Sequence, residues 1–76
     1  MSSLELEVEH DGSFYTVDVS GTDLTISEAM PGMIVQIEKT AIIAGRIIRG
    51  TALDAAAYDA IERGIQEEIR RRQTRR

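Results

Sequence analysis

The chain has 76 residues, with 13 acidic and nine basic side chains, a net charge of −4, one histidine and no cysteine. That length gives one domain at most, near the size at which a single hydrophobic core is only marginally stabilising. The absence of cysteine excludes disulfides and thiolate metal sites, and with His10 the lone imidazole a transition-metal centre would need carboxylates for nearly every ligand. No cofactor and no metal is therefore expected, and self-association is the remaining route to extra stability.

The N-terminus opens with an alternating segment, Leu4-Glu5-Leu6-Glu7-Val8-Glu9, the period-two pattern of a half-buried strand. Asp11-Gly12 suits the two central positions of a type I′ turn, and Phe14 to Val19 follows as a second strand. Closing a hairpin over residues 4–19 on that turn pairs His10 with Ser13. Val8 then faces Tyr15, Leu6 faces Val17 and Leu4 faces Val19 on an apolar side. Glu9 faces Phe14, Glu7 faces Thr16 and Glu5 faces Asp18 on the other. The second side is an acidic face of Glu5, Glu7, Glu9 and Asp18. It is expected to be solvated or to meet a cationic partner, because directly opposed like charges disfavour pairing. His10, Asp11 and Ser13 share the residue types of a hydrolytic triad, but one tight turn does not let the histidine bridge both partners.

Gly21-Thr22-Asp23 is a turn cluster, and Leu24-Thr25-Ile26 is a possible short third strand. The segment Glu28-Ala29-Met30-Pro31-Gly32-Met33-Ile34-Val35 resembles the first half of a biotinyl or lipoyl attachment domain, in which Met-Pro-Gly precedes a strand. The resemblance covers about eight residues. No Met-Lys-Met-like turn follows it, and Lys39 stands in Glu-Lys-Thr, so no carrier lysine is implied.

Residues 31–49 support two readings. The β-branched content (Ile34, Val35, Ile37, Ile42, Ile43, Ile47, Ile48) would suit strands. Alternation fails at Ile42-Ile43 and Ile47-Ile48, however, while Ile34, Ile37, Ala41, Ala44 and Ile48 keep a three-four spacing, so a helix is expected. A second helix is expected over 52–72, with Thr51 as its N-cap, Asp54 approximating a capping box, and Leu53, Ala57, Ile61, Ile65 and Ile69 as an i+4 ridge. Ala56, Ala60 and Gly64 form a row of small residues beside it, and Ala41 with Gly45 offers a matching row. The expected fold is thus α+β, an N-terminal β-hairpin followed by an antiparallel helical hairpin. The apolar helices would join copies of the chain, with Ile34, Ile42, Ile43, Ile47, Leu53, Ile61, Ile65 and Ile69 at a homo-oligomer interface.

Charge is unevenly placed along this plan. Residues 1–40 carry eight carboxylates against Lys39, and residues 41–76 carry five carboxylates against eight arginines. Arg70, Arg71, Arg72, Arg75 and Arg76 make a basic C-terminal end. Cations there favour the helix dipole by about 0.3–1 kcal/mol. They could also neutralise phosphates, or dock on the acidic face of another copy. The overall acidity and scarcity of aromatic side chains disfavour nucleic acid. Gly45-Arg46-Ile47-Ile48-Arg49-Gly50 lacks the Lys-Ser/Thr of a phosphate-binding loop, and Glu62, Glu67 and Glu68 lack the Glu-x-x-His set of a di-iron bundle. The N-terminus lacks the basic and apolar regions of a signal peptide. The longest apolar-rich stretch, Met33 to Ile48, is interrupted by Gln36, Glu38, Lys39 and Arg46. These features set the expectation of a cytoplasmic, non-enzymatic interaction or accessory module of the kind found among phage and regulatory proteins. It would self-associate and bind a protein partner, without a membrane role. A nucleic-acid-binding regulator is the alternative, and a small enzyme subunit a distant third.

Overall fold

Four two-residue turns, each containing a residue with positive φ, carry residues 3–47 through an antiparallel meander. The computed structural model describes residues 3–74. Its elements are β1 (Ser3–His10), β2 (Ser13–Ser20), β3 (Asp23–Met30), β4 (Met33–Ile43), β5 (Arg46–Ile47) and α1 (Ala55–Thr74). The strands form one curled sheet in the order β1-β2-β3-β4-β5, and α1 lies across its concave side.

The first hairpin has the register that its turn chemistry dictates. Asp11 and Gly12 have φ of 54° and 83°, as a type I′ turn requires, and Val8 faces Tyr15, Leu6 faces Val17 and Leu4 faces Val19. The apolar row continues into β3, where Val17 faces Ile26 and Val19 faces Leu24. Third-strand character extends well beyond Leu24–Ile26, to all of Asp23–Met30.

No helical hairpin is present: the expected helix over 31–49 is β4, a turn at Ala44-Gly45, and β5. Pro31 opens no helix. It occupies a two-residue turn with Gly32 at φ 79°, the Pro-Gly combination of a type II turn. Strand alternation is hidden in this segment by a β-bulge. Ile26 faces Glu38 but Ser27 faces Gln36, so Ile37 is the extra residue and the inward phase shifts by one. At the end of β4 Ile42 is buried and Ile43 exposed, and in β5 Ile47 is buried while Ile48 beyond it is exposed. Each Ile-Ile pair therefore straddles the sheet rather than marking a helical turn. The β-branched side chains decided the outcome, because they pack well on a pleated surface.

The remaining helix begins three residues later than 52. Asp54, not Thr51, caps it: the Asp54 carboxylate accepts the Ala57 N–H at 2.9 Å, and its carbonyl accepts the Tyr58 N–H at 3.1 Å. Of the expected i+4 ridge, Ala57, Ile61 and Ile65 are buried, Ile69 is exposed, and Leu53 lies before the helix starts. Tyr58, Ile61 and Ile65 form one core with Leu4, Val8, Tyr15, Val17, Leu24, Ile26, Ile42 and Ile47 of the sheet. Each fully buried Ile or Leu in this set contributes about 1.5–3 kcal/mol of transfer free energy. The small-residue row serves helix-on-sheet contact instead of helix-on-helix contact. A Cβ at Gly64 would lie 3.0 Å from Val8 Cγ2 and 3.4 Å from Leu6 Cδ1, so the missing side chain lets α1 settle onto β1.

Candidate functional site

Polar side chains gather where β4, the strand-to-helix segment and the first half of α1 meet. The bulge that follows Gln36 points Glu38 toward the concave side, opposite Ile26. There the Glu38 carboxylate accepts the Tyr58 hydroxyl, and it also accepts the Gly50 N–H at 3.1 Å. The Gly50 N–H is shared with the Tyr58 hydroxyl oxygen, likewise at 3.1 Å. One turn further along α1, Glu62 accepts the Ile47 N–H of β5 at 2.8 Å and faces Arg49 at 3.5 Å. Arg49 also pairs with Asp59, and its guanidinium lies 5.7 Å from the centre of the Tyr58 ring. Thr40 donates its hydroxyl to the Ile48 carbonyl at 2.6 Å, and Gln66 donates to the Gly45 carbonyl at 3.2 Å.

The electrostatics of this cluster are those of a clasp. Burial raises the Tyr58 hydroxyl pKa above the ordinary tyrosine value, and the bond to Glu38 adds to the shift. The bond to Asp59 raises the Arg49 pKa further above an already high value, with Glu62 helping. These bonds close the short β5 strand and the helix entry against the edge of β4. Among the described residues no group of three or more His, Asp or Glu side chains could hold a metal ion, and no buried side-chain polar atom lacks a partner. A hollow of about 400 Å³ beside the far end of α1, between Leu4, Val19, Gly21 and Ile69, has Arg72 on its wall and no carboxylate or imidazole in its lining.

A second feature stands out at the β3–β4 turn. Phe14, Ala29 and Ile34 lie side by side on the convex face across β2, β3 and β4. Met30 pairs with Met33 at the turn, and Val35 lies beside Glu28 on the concave side, past the start of the helix. These apolar side chains wrap around the end of the hairpin and remain in solvent: Ile34 is 66% exposed and Met33 59%. The patch is on the order of 500 Å², at the upper end of what monomeric proteins leave uncovered.

The sequence-derived candidates fall in three places. Glu5, Glu7, Glu9 and Asp18 do share the convex face, all four are exposed, and Glu5 directly opposes Asp18. Their row continues through Thr25 to Lys39 on β4, a cation two strands away. Arg70, Arg71 and Arg72 lie on the last turns of α1, where Arg71 and Arg72 both pair with Glu68 at 3.3 Å. Arg75 and Arg76 lie outside the described residues. Of the residues expected between copies, Ile42, Ile47, Ile61 and Ile65 are buried inside the single chain and Leu53 is partly buried. Ile34, Ile43 and Ile69 are exposed. Sequence reasoning did not single out Phe14, Met30, Met33 or Val35. The signal that would have found them is Met-Pro-Gly-Met read as a hairpin turn, which places two methionines at a tip with nothing to cover them.

Set against protein-family models, curated proteins and solved structures, the chain matches none of them. No helix among the described residues is long and apolar enough to cross a membrane.

Proposed function

We propose that the chain is a small non-catalytic protein-interaction module that docks through the exposed end of its β3–β4 hairpin. One observation carries this reading: Phe14, Met30, Met33, Ile34 and Val35, five of the eight exposed large apolar side chains among the described residues, gather on both faces around the β3–β4 turn. Burying such side chains is favourable by about 25 cal/mol per Å² of apolar area. Methionine suits a docking surface because its unbranched thioether adapts to the shape it meets. The clasp of Glu38, Tyr58, Arg49 and Glu62 supports the same reading, since its groups are already committed to one another. The nucleic-acid alternative gains less support. Arg71 and Arg72 face Glu68, and the chain carries a net charge of −4.

The test is site-specific photocrosslinking inside the native host, with a benzoylphenylalanine placed at Ile34 or at Thr25. Position 25 shares the convex face but lies outside the patch. Protein adducts are expected from position 34, few from position 25, and their loss is expected when Met33→Lys is added. Equal labelling from both positions, or none from position 34, overturns the docking surface.

A further inference from the structure

We infer that the occupant of this surface is a second copy of the chain, joined edge to edge through β4 in an antiparallel, two-fold pair. The inference rests on the docking reading above and names its partner. It begins with the main chain. Because β5 has only two residues, pairing with Ile42 and Ile43, the first part of β4 forms an open sheet edge. Met30 and Met33 flank a two-residue turn and exchange hydrogen bonds with each other, so the amides of Ile34 and Gln36 point away from β3. The other end of β4 gives the same phase. Ile42 donates inward to Thr22 and Ala41 accepts outward from Ile48, and counting back through the bulge at Ile37 again puts Gln36 and Ile34 outward. Among the described residues no hydrogen bond reaches the open side of this segment.

The side chains favour self-pairing at this edge and oppose it at the other. Met33-Ile34-Val35-Gln36-Ile37 contains no charge, so two such edges meet without repulsion. The β1 edge carries Glu5, Glu7 and Glu9 within one strand, and two copies would bring those carboxylates together. Pairing β4 with β1 of another copy would desolvate the same glutamates against apolar side chains. A β4 pair centred on Val35 sets Val35 against its twin on the concave side and Ile34 against Gln36 of the second copy on the convex side. It lets the amides of Ile34 and Gln36 exchange bonds with their counterparts. Such a pair covers the β4 part of the patch, Met33, Ile34 and Val35, and leaves Phe14 on β2 in solvent, so the interface is small and implies a weak, reversible dimer.

Sedimentation of the full chain from about 5 to about 500 micromolar tests the pair, a range suited to an interface of this size. The expected mass rises from one copy toward two and stops there. Ile34→Lys is expected to weaken the association at least tenfold, and because Ile34 is exposed the fold survives the change. Gln36→Pro removes an edge donor while leaving the apolar side chains in place, and it too is expected to weaken association. With no native cysteine, Val35→Cys gives one thiol per chain, and air oxidation is expected to link position 35 to itself while Ser27→Cys does not. A wild-type chain that stays monomeric across the range overturns the inference. So does a mass that grows past two, or a dimer indifferent to both Ile34→Lys and Gln36→Pro. If the chain is monomeric yet position 34 still crosslinks other proteins in the host, the docking surface stands and only the second copy falls.

Discussion

Along β1, every second residue from Glu5 to Glu9 is a carboxylate, whereas the first five residues of β4, Met33 to Ile37, carry no charge. Strand β1 and the first part of β4 are edges of the same sheet, and both offer unpaired main-chain groups to solvent. On β1 the guard is electrostatic, and it has a cost within the fold: Glu5 sits directly opposite Asp18. The second guard of β1 is α1, which packs closely onto Val8 and Leu6 through Gly64. On β4 the guard is geometric. The bulge at Ile37 twists the edge, and the clasp ties residues 46–50 alongside its second half. Nothing comparable covers residues 33–36. The contrast shows that this chain closes one edge by charge and by helix, and leaves half of the other bare.

Four substitutions break or sharpen that contrast. Gly64→Val is the most damaging, since the new side chain meets the stiff, buried Val8 at 3.0 Å or less and lifts α1 from the β1 edge. A loss of about 2 kcal/mol is expected, measured by urea unfolding at equilibrium.

Tyr58→Phe opens the clasp on the β4 side, leaving Glu38 without its hydroxyl donor, at about 1 kcal/mol. The same variant changes the alkaline limb of stability. Tyr58 in the folded chain has a pKa above its unfolded value of about 10, so its contribution is complete below pH 10 and is lost as pH rises through the folded pKa. Thermal melts from about pH 9 to about pH 12 should therefore show a steeper fall for the native chain than for the variant.

Ala44→Asn acts in the opposite direction. Ala44 holds φ at 55°, a left-handed conformation that asparagine tolerates better, so the β4–β5 turn gains about 0.5–1 kcal/mol. Slower amide exchange at Ile47 and Ile48 would report that gain. Glu5→Thr removes the like-charge pair with Asp18, for a gain of a few tenths of a kcal/mol in low salt that shrinks as salt is added. If the gain survives at high ionic strength, the charge guard on β1 is not the cause.

The β1–β2 hairpin was readable from residues alone because turn chemistry, alternation and cross-strand matching gave one register. Helix α1 was readable because Ala57, Ile61 and Ile65 repeat every four residues. Its start was misplaced because Thr51 and Asp54 are both good caps, and only the surrounding chain path selects between them. The middle was misread for a single physical reason. One bulge residue shifts the phase of β4, so a real strand loses its period-two signature and acquires a spurious three-four spacing through Ile34, Ile37 and Ala41. Read as a helix, the same segment had Pro31 at a helix start instead of in a turn, and that hid the apolar tip. The acidic face was legible as a face, while the exposed apolar patch was not, because it exists only once β3 and β4 are neighbours.

Since all four strand connections are two residues long, every strand pair forms between segments adjacent in sequence. Such pairings need almost no loop closure and zip on a microsecond scale. The docking of α1 on β1 is different, joining Gly64 to Val8 across most of the chain. The fold thereby combines four local closures with one long-range one. The concave face is covered only where Ile61 and Ile65 join Leu4 and Val8 in one core.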